Sequence, residues 1–405
     1  MIFLLLCKPF FRFFIAYVGR LVYNIYIVFY ENGVFMQYKC CVPCLLGLEG
    51  PIADELKRLG MDNVNNENGR VYFDGDESAV AEANISLRIG ERVLIEVGRF
   101  EARSFDEMFE KVKALPWESY LPKNAAFPVK GYCLNSQLMS VPDCQKIIKK
   151  AIVERLKTRY HLSWFEETGP LHQIQFSVMK DDISLCIDTS GDGLHKRGYR
   201  PAHTAAPLKE TMAAAMVTIS RYRGKEDFCD PFCGSGTIPI EAALIARNIA
   251  PGIRRSFSAE KWEESDKTLW IEAREKARSG EYHGEYSIFA SDIDPSAIRI
   301  AEENARRAGV SDIIRFEVAD ATKFDRKTER GIIVTNPPYG ERIMEKQEAE
   351  SLYRGFGKAW ASTENWKLYL LSSHTEFERT FGRMADKKRK LYNGMIKCDL
   401  FMYFK

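Results

Sequence analysis

Asp227-Phe228-Cys229-Asp230-Pro231-Phe232-Cys233-Gly234-Ser235-Gly236-Thr237 reads as a short buried strand, an acidic strand end and a glycine loop, and residues 238–247 continue it as a helix. Strand, glycine turn and helix in that order open a doubly wound α/β sheet. Downstream, the apolar runs predict strands over 286–291, 313–318, the run Ile332-Ile333-Val334 leading to Asn336, and 367–371. Helices are expected over 295–308 and 352–360, and a long charged insertion, 248–285, carries a helix with Trp262 and Trp270. The chain closes on Arg389-Lys390-Leu391-Tyr392, the turn pair Asn393-Gly394 and the run 395–404. Asn-Gly between two strand-like runs signals a hairpin, so antiparallel strands should close the parallel sheet.

Upstream of this C-terminal domain, placed at 208–405, two α+β modules are expected at 36–101 and 102–190. The first reads as helix 49–59, strand 69–73, helix 77–87 and strand 92–97; the second as helix 105–114, strand 127–133, helix 142–160 and strands 173–179 and 183–188. On helix 142–160, Ile147, Ile148, Ala151, Ile152 and Leu156 form an apolar stripe, while Lys146, Lys149, Lys150, Lys157 and Arg159 fall mostly elsewhere. Those cations are either a solvated face or contacts to RNA phosphates. The linker 191–207 poses the same alternative for Lys196, Arg197 and Arg200, which sit where the two halves meet. Residues 1–35 differ abruptly from the rest. They read as an extension ahead of a true start at Met36, with a hydrophobic anchor as the alternative; Arg20 near the middle of a span would cost ~3 kcal/mol.

With 405 residues the chain has room for two or three domains. Hydrophobic content of 45% and charged content of 28% are those of a soluble globular protein. Lys+Arg 58 against Asp+Glu 56 leaves a net charge of +2, so a nucleic-acid partner would have to be held by local basic patches. The ten cysteines follow no disulfide framework, which suits a reducing, cytoplasmic compartment. Cys41 and Cys44 form a lone C-x-x-C without a second pair, so no metal is expected.

The glycine loop lacks the third glycine of a dinucleotide fingerprint, its next strand-end acid lies far beyond the spacing of a nicotinamide site, and there is no Walker lysine. S-adenosylmethionine fits better. It has no phosphate, needs a close backbone approach, an acid for its ribose and an acceptor for its adenine amine. Asp230, Asp292 and Asp320 each end an expected strand, on one edge of the sheet. Asp292 is assigned to the ribose, Asp320 to the adenine amino group and Asp230 to the methionine end; taken singly, each could equally be a helix cap. Asn336-Pro337-Pro338-Tyr339-Gly340 leaves the buried run as a rigid extended loop. The Asn336 side chain and the Pro337 carbonyl can accept both hydrogens of an exocyclic amine, and Tyr339 offers a face for the base; a proline-rich turn is the alternative reading.

Three stretches together, Asp230 to Thr237, Ser291-Asp292-Ile293-Asp294 and Asn336 to Arg342, resemble class I methyltransferases that methylate RNA on guanine N2. The junction Leu194-His195-Lys196-Arg197-Gly198-Tyr199-Arg200 and Ala206-Pro207-Leu208-Lys209-Glu210 is similar to that of the THUMP-domain RNA methyltransferases, particularly the bacterial 23S rRNA guanine-N2 group. The likeness covers 36–405 and leaves 1–35 without a counterpart. It implies a Rossmann-like methyltransferase domain preceded by a ferredoxin-like module and a THUMP domain, acting on RNA, most specifically 23S rRNA. Phe232, Cys233, Gly234, Ser235, Gly236, Thr237 and Ile293 would then complete the cofactor set with the three acids and Asn336. A tRNA guanine-N2 enzyme, an adenine-N6 nucleic-acid methyltransferase and a non-catalytic RNA-binding assembly protein stay open as alternatives.

Overall fold

The structure, a computed structural model, describes residues 14–15, 25–30, 33–200, 208–326, 328, 330–339, 346–363, 365–394 and 396–404, with side chains from 36 onward. Most of the 1–35 extension therefore lies outside the described residues, while its proposed boundary at Met36 lies within them. The strand Gly33–Pro43 runs unbroken through Met36 and pairs with Ile25–Tyr30.

The C-terminal sheet has seven strands in the order Ile314–Val318, Ile288–Asp292, Asp227–Asp230, Gly331–Thr335, Trp366–Ser372, Ile396–Tyr403, Lys387–Asn393. The first five are mutually parallel, and the last two form the antiparallel closing hairpin. Chain order reverses between Asp227–Asp230 and Gly331–Thr335, which makes the carboxyl ends of these strands the crevice where an open α/β sheet binds ligands. Gly331–Thr335 is buried along its whole length, as a strand covered on both faces must be, and its apolar run is the reason. Helix Pro295–Ala308 starts with Pro295 inside its first turn and the Asp294 side chain accepting from the Ser296 amide at 2.8 Å, and ends at Gly309.

The two N-terminal modules are not separate sheets. Leu94–Glu101 pairs antiparallel with Asp182–Asp188, so one nine-stranded sheet runs through both. Sequence reading misses the strand Asp62–Glu67, whose Asp-Asn-Val-Asn-Asn-Glu lacks any apolar alternation, and the helices Glu210–Ile219 and Phe377–Phe381. The insertion places Trp270 in helix Lys267–Ser279 but leaves Trp262 ahead of it. There Trp262 stacks on His172 of the second module, with ring centroids 4.4 Å apart, and donates its indole N–H to the Leu171 carbonyl at 2.9 Å. The insertion is thus a strap across the domain boundary.

Candidate active site

Two close approaches shape the glycine loop. At Gly236, φ is +82° and a Cβ would lie 2.9 Å from Ala301 of helix Pro295–Ala308, so only glycine lets the loop and that helix meet. Gly234, with φ +48°, faces open space on its Cβ side. Its amide donates to Asp292 Oδ2 at 2.9 Å, the Cys233 amide to the Ser291 carbonyl at 2.9 Å, and Asn304 Nδ2 to the Ser235 carbonyl at 2.9 Å. The loop is thereby fixed to the end of the neighbouring strand before any ligand arrives. Phe232 packs edge-on against Phe356, Thr237 is buried, and burial pushes the Cys233 thiol far up, which removes it as a nucleophile.

Asp292 is half-buried, and its other oxygen accepts from the Asp294 amide at 3.0 Å. Ile293 beside it is 72% exposed, an apolar surface at a strand end for which the fold itself supplies no cover. Open backbone at Gly234, a carboxylate and a bare isoleucine suit a ligand with hydroxyl groups and a flat base. Asp320 serves first as a cap: Oδ1 accepts from the Thr322 amide at 2.9 Å and hydroxyl at 2.7 Å, and that hydroxyl holds the carboxyl below its usual range.

Asp230 is 1% exposed. Its Oδ1 accepts from the Thr335 hydroxyl at 2.6 Å and the Phe232 amide at 3.2 Å, which ties the glycine-loop strand to the residue preceding Asn336. Burial, reinforced by the nearby Asp292 carboxylate, pushes Asp230 up to about 7. A folded-state value above the unfolded one means that the folded chain holds a proton the unfolded chain releases between about pH 4 and 7, so stability falls as pH rises through that window. Asp230→Asn keeps an acceptor for Thr335 and loses the titration. Its unfolding free energy in urea is expected to gain on wild type progressively from about pH 4 to 7, by at most about 1.4 kcal/mol per pH unit. Parallel pH profiles for the two chains would refute this.

In the Asn336 loop, Tyr339 donates its hydroxyl to Asn336 Oδ1, and Tyr353 donates to the Pro338 carbonyl at 2.7 Å. Among the described residues the Pro337 carbonyl takes no hydrogen bond. The Tyr339 ring packs against the main core with Cys398 beside its hydroxyl, so it lies turned inward, where the sequence reading had it open for stacking. Its visible role is to orient the Asn336 carboxamide.

The basic residues divide. Arg197 is buried: it donates to the Leu194 carbonyl at 2.5 Å and to the Arg88 carbonyl, with Nε 3.5 Å from Glu241 Oε1. Arg200 pairs with Glu210 and reaches Thr237 Oγ1 at 3.4 Å. Lys149 lies 2.6 Å from Glu167 and over the Phe127 ring. The reading of Arg197 and Arg200 as phosphate contacts is corrected, since their charges are spent inside the fold, while Lys149 is half-buried in a pair at the surface. Lys146, Lys150 and Lys196 are exposed, Lys196 paired with Asp192 at 2.6 Å. Thr335, Asn304 and Tyr353 position the site with no pattern in the sequence to announce them. Among the described residues there is no cluster suited to a metal ion, and no helix is long and apolar enough to cross a membrane.

Three family descriptions match the chain: "RlmL ferredoxin-like domain" over 39–94, "THUMP domain" over 102–188 and "RMKL-like, methyltransferase domain" over 197–401. It is 46% identical to "Putative RNA methyltransferase YpsC" of Bacillus subtilis (strain 168), over 91% of this chain and 96% of that one. It is 32% identical to "Ribosomal RNA large subunit methyltransferase K/L" of Marinobacter nauticus, over 89% of this chain and 52% of that one; the chain spans about half the length of its K/L relatives. Among solved structures, a "predicted N6-adenine-specific DNA methylase" from Listeria monocytogenes superposes with TM-score 0.86 at 47% identity, covering 91% of this chain and 96% of that one. "SMU.472, a putative methyltransferase complexed with SAH" gives TM-score 0.86 at 40% identity, covering 91% and 98%.

Proposed function

The chain belongs to the RMKL-like methyltransferase family, and we propose that it transfers a methyl group to the exocyclic N2 amine of a guanosine in large-subunit (23S) ribosomal RNA, in the cytoplasm. Its cofactor is S-adenosylmethionine. When bound, this cofactor supplies an electrophilic methyl on a sulfonium. Asp292, the Gly234 backbone and Ile293 are the residues that would hold its ribose, its chain and its base, and the buried Asp230 would support the methionine end through the loop it fixes.

The observation that carries the reading is the Asn336 carboxamide: it stands at the end of a buried strand, tied to the glycine loop through Thr335 and Asp230 and aimed by Tyr339. Guanine N2 is a poor nucleophile because its lone pair is delocalised into the ring. A site that fixes both amine hydrogens on rigid acceptors gains from orientation and electrostatics, without a strong base. Asn336 and the Pro337 carbonyl are those acceptors, and the base must leave its stack to reach them. The two N-terminal modules favour RNA over DNA as the polymer.

An adenine-N6 reading is kept alive by the name of the Listeria monocytogenes structure, and a tRNA target by the shared modules. Nucleotide-resolution mapping of methylguanosine in rRNA and tRNA from cells lacking this gene separates them. Loss of one N2-methylguanosine from 23S rRNA, restored by the gene, is expected; loss of an N6-methyladenosine instead would sink the guanine assignment. Asp292→Ala is expected to weaken S-adenosylmethionine binding by ~2 kcal/mol or more, since charge-assisted hydrogen bonds are lost. Calorimetry showing an unchanged affinity would take Asp292 out of the cofactor site.

A further inference from the structure

A groove of ≈ 1240 Å³ lies between the first helix of the N-terminal module and the closing strands of the C-terminal sheet, away from the glycine loop. Lys57 and Arg58 enter it from the last turn of helix Glu49–Arg58, and Arg221 and Arg223 from the segment that follows helix Glu210–Ile219. Lys367, Lys387 and Arg389 line it from two strands of the sheet. Opposite these cations stands a single carboxylate, Asp54. Elsewhere the chain pairs its cations freely, as at Arg99, Arg155, Arg247 and Arg274. Among the described residues, none of the groove's cations makes an ion pair. Burial, with neighbouring Arg58 adding to it, lowers the Arg223 guanidinium.

Such crowding costs stability in the free chain and is relieved by a polyanion. The groove also has an aromatic edge: Phe404, 42% exposed, with its ring 6.1 Å from that of Tyr369. Its position relative to the candidate active site follows from strand register. Lys367 pairs with Ile332, four residues before Asn336, and Lys387 lies across Met402 and Tyr369 from Val334. With ~3.3 Å per residue and ~4.8 Å per strand, these lysines stand on the order of 15 Å from the Asn336 loop along the sheet. One nucleic-acid strand covers that span in roughly four to five steps of a helix.

We propose that this groove binds the sugar-phosphate backbone of the RNA flanking the target nucleotide, with Phe404 as a stacking face at its mouth. The proposal deepens the RNA methyltransferase reading and rests on it. Backbone contacts give affinity and register while base chemistry stays at Asn336. The first module gains a reason to lean on the closing hairpin: it completes the groove.

The test uses the full chain with Lys57→Gln, Lys367→Gln and Lys387→Gln combined, all exposed side chains, beside a control triple at Lys261, Lys276 and Lys358. Binding to protein-free 23S rRNA is measured from low to high salt, together with cofactor affinity and methyl transfer. The groove triple is expected to bind RNA at least tenfold more weakly, with the slope of log affinity against log salt reduced by about 2, because each lost phosphate contact removes ~0.7–0.9. KM for RNA should rise, while kcat and the cofactor Kd stay within twofold. A slope equal to wild type, or an equal loss in the control triple, overturns the groove. So does an unchanged RNA affinity with loss of binding to a polyglutamate probe, which would mark an acidic protein as the partner. If wild type itself neither binds nor methylates the RNA, the methyltransferase reading falls and the groove with it; wild-type turnover with an unaffected groove triple sinks the groove alone.

Discussion

Asn336→Ala is expected to slow methyl transfer to rRNA by two or more orders of magnitude while the Kd values for S-adenosylmethionine and RNA change by no more than a few fold. The size follows from removing one preorganised hydrogen-bond partner that acts where charge develops. The selectivity follows from placement: the acids, the Gly234 amide and Ile293 belong to other strand ends, and the strand leading to Asn336 is linked to them through Thr335 to Asp230. Tyr339→Phe refines the result. It removes the hydroxyl that aims the Asn336 carboxamide but leaves the acceptor, so a loss smaller than that of Asn336→Ala is expected, confined to kcat. Single-turnover transfer with saturating cofactor and RNA is the measurement. Near-normal turnover by Asn336→Ala would reduce the loop to a turn and remove the basis of the catalytic assignment.

The catalytic sheet was legible because its strands are short apolar runs punctuated by Asp, Gly and Pro, and parallel burial leaves just that signature in sequence. The closing hairpin was legible from Asn393-Gly394. What escaped depends on contacts between distant segments. The strand Asp62–Glu67 has one apolar residue, Val64, and is held by pairing with Arg70–Gly75, by Val64 against the core and by the Arg99–Glu67 ion pair, so no local pattern encodes it. Helix Glu210–Ile219, Glu-Thr-Met-Ala-Ala-Ala-Met-Val-Thr-Ile, is apolar on nearly every face because it packs between the helix Thr237–Ala246 and the helix Glu49–Arg58 of the N-terminal module, and an all-round apolar helix has no stripe to read. The division of the basic residues was equally hidden. A linker arginine and a groove lysine look alike in one dimension, and only burial separates Arg197 from Lys387.

Arg197 is expected to matter more to folding than to RNA. Its side chain joins three parts of the molecule: the Arg88 carbonyl in the first module, the Leu194 carbonyl in the connector and Glu241 in the helix after the glycine loop. Glu241 is fully buried, and burial pushes its carboxyl up against the opposing pull of Arg197. Its Oε1 also accepts from Tyr199 at 3.1 Å, while Oε2 has no partner among the described residues. Removing the arginine strands both the carboxylate and two carbonyls in a dry interior. Arg197→Ala should therefore lower unfolding free energy by ~3–5 kcal/mol, the cost of breaking a buried pair from one side, whereas Arg197→Met with Glu241→Gln should recover much of the loss because no charge is left unpaired. Urea unfolding of the three chains decides it, and a loss under about 1 kcal/mol for Arg197→Ala would show the site tolerates the unpaired carboxylate. The same contacts bear on domain dissection. A fragment beginning at 208 would lack Arg197 and would also expose Gly252, whose amide bonds the Ile85 carbonyl at 2.8 Å, and Ile249, whose carbonyl accepts from Arg88 at 2.9 Å. Cutting the chain there mixes lost RNA docking with lost stability, so substitutions in the groove, which leave this interface whole, are the cleaner way to separate RNA binding from cofactor binding.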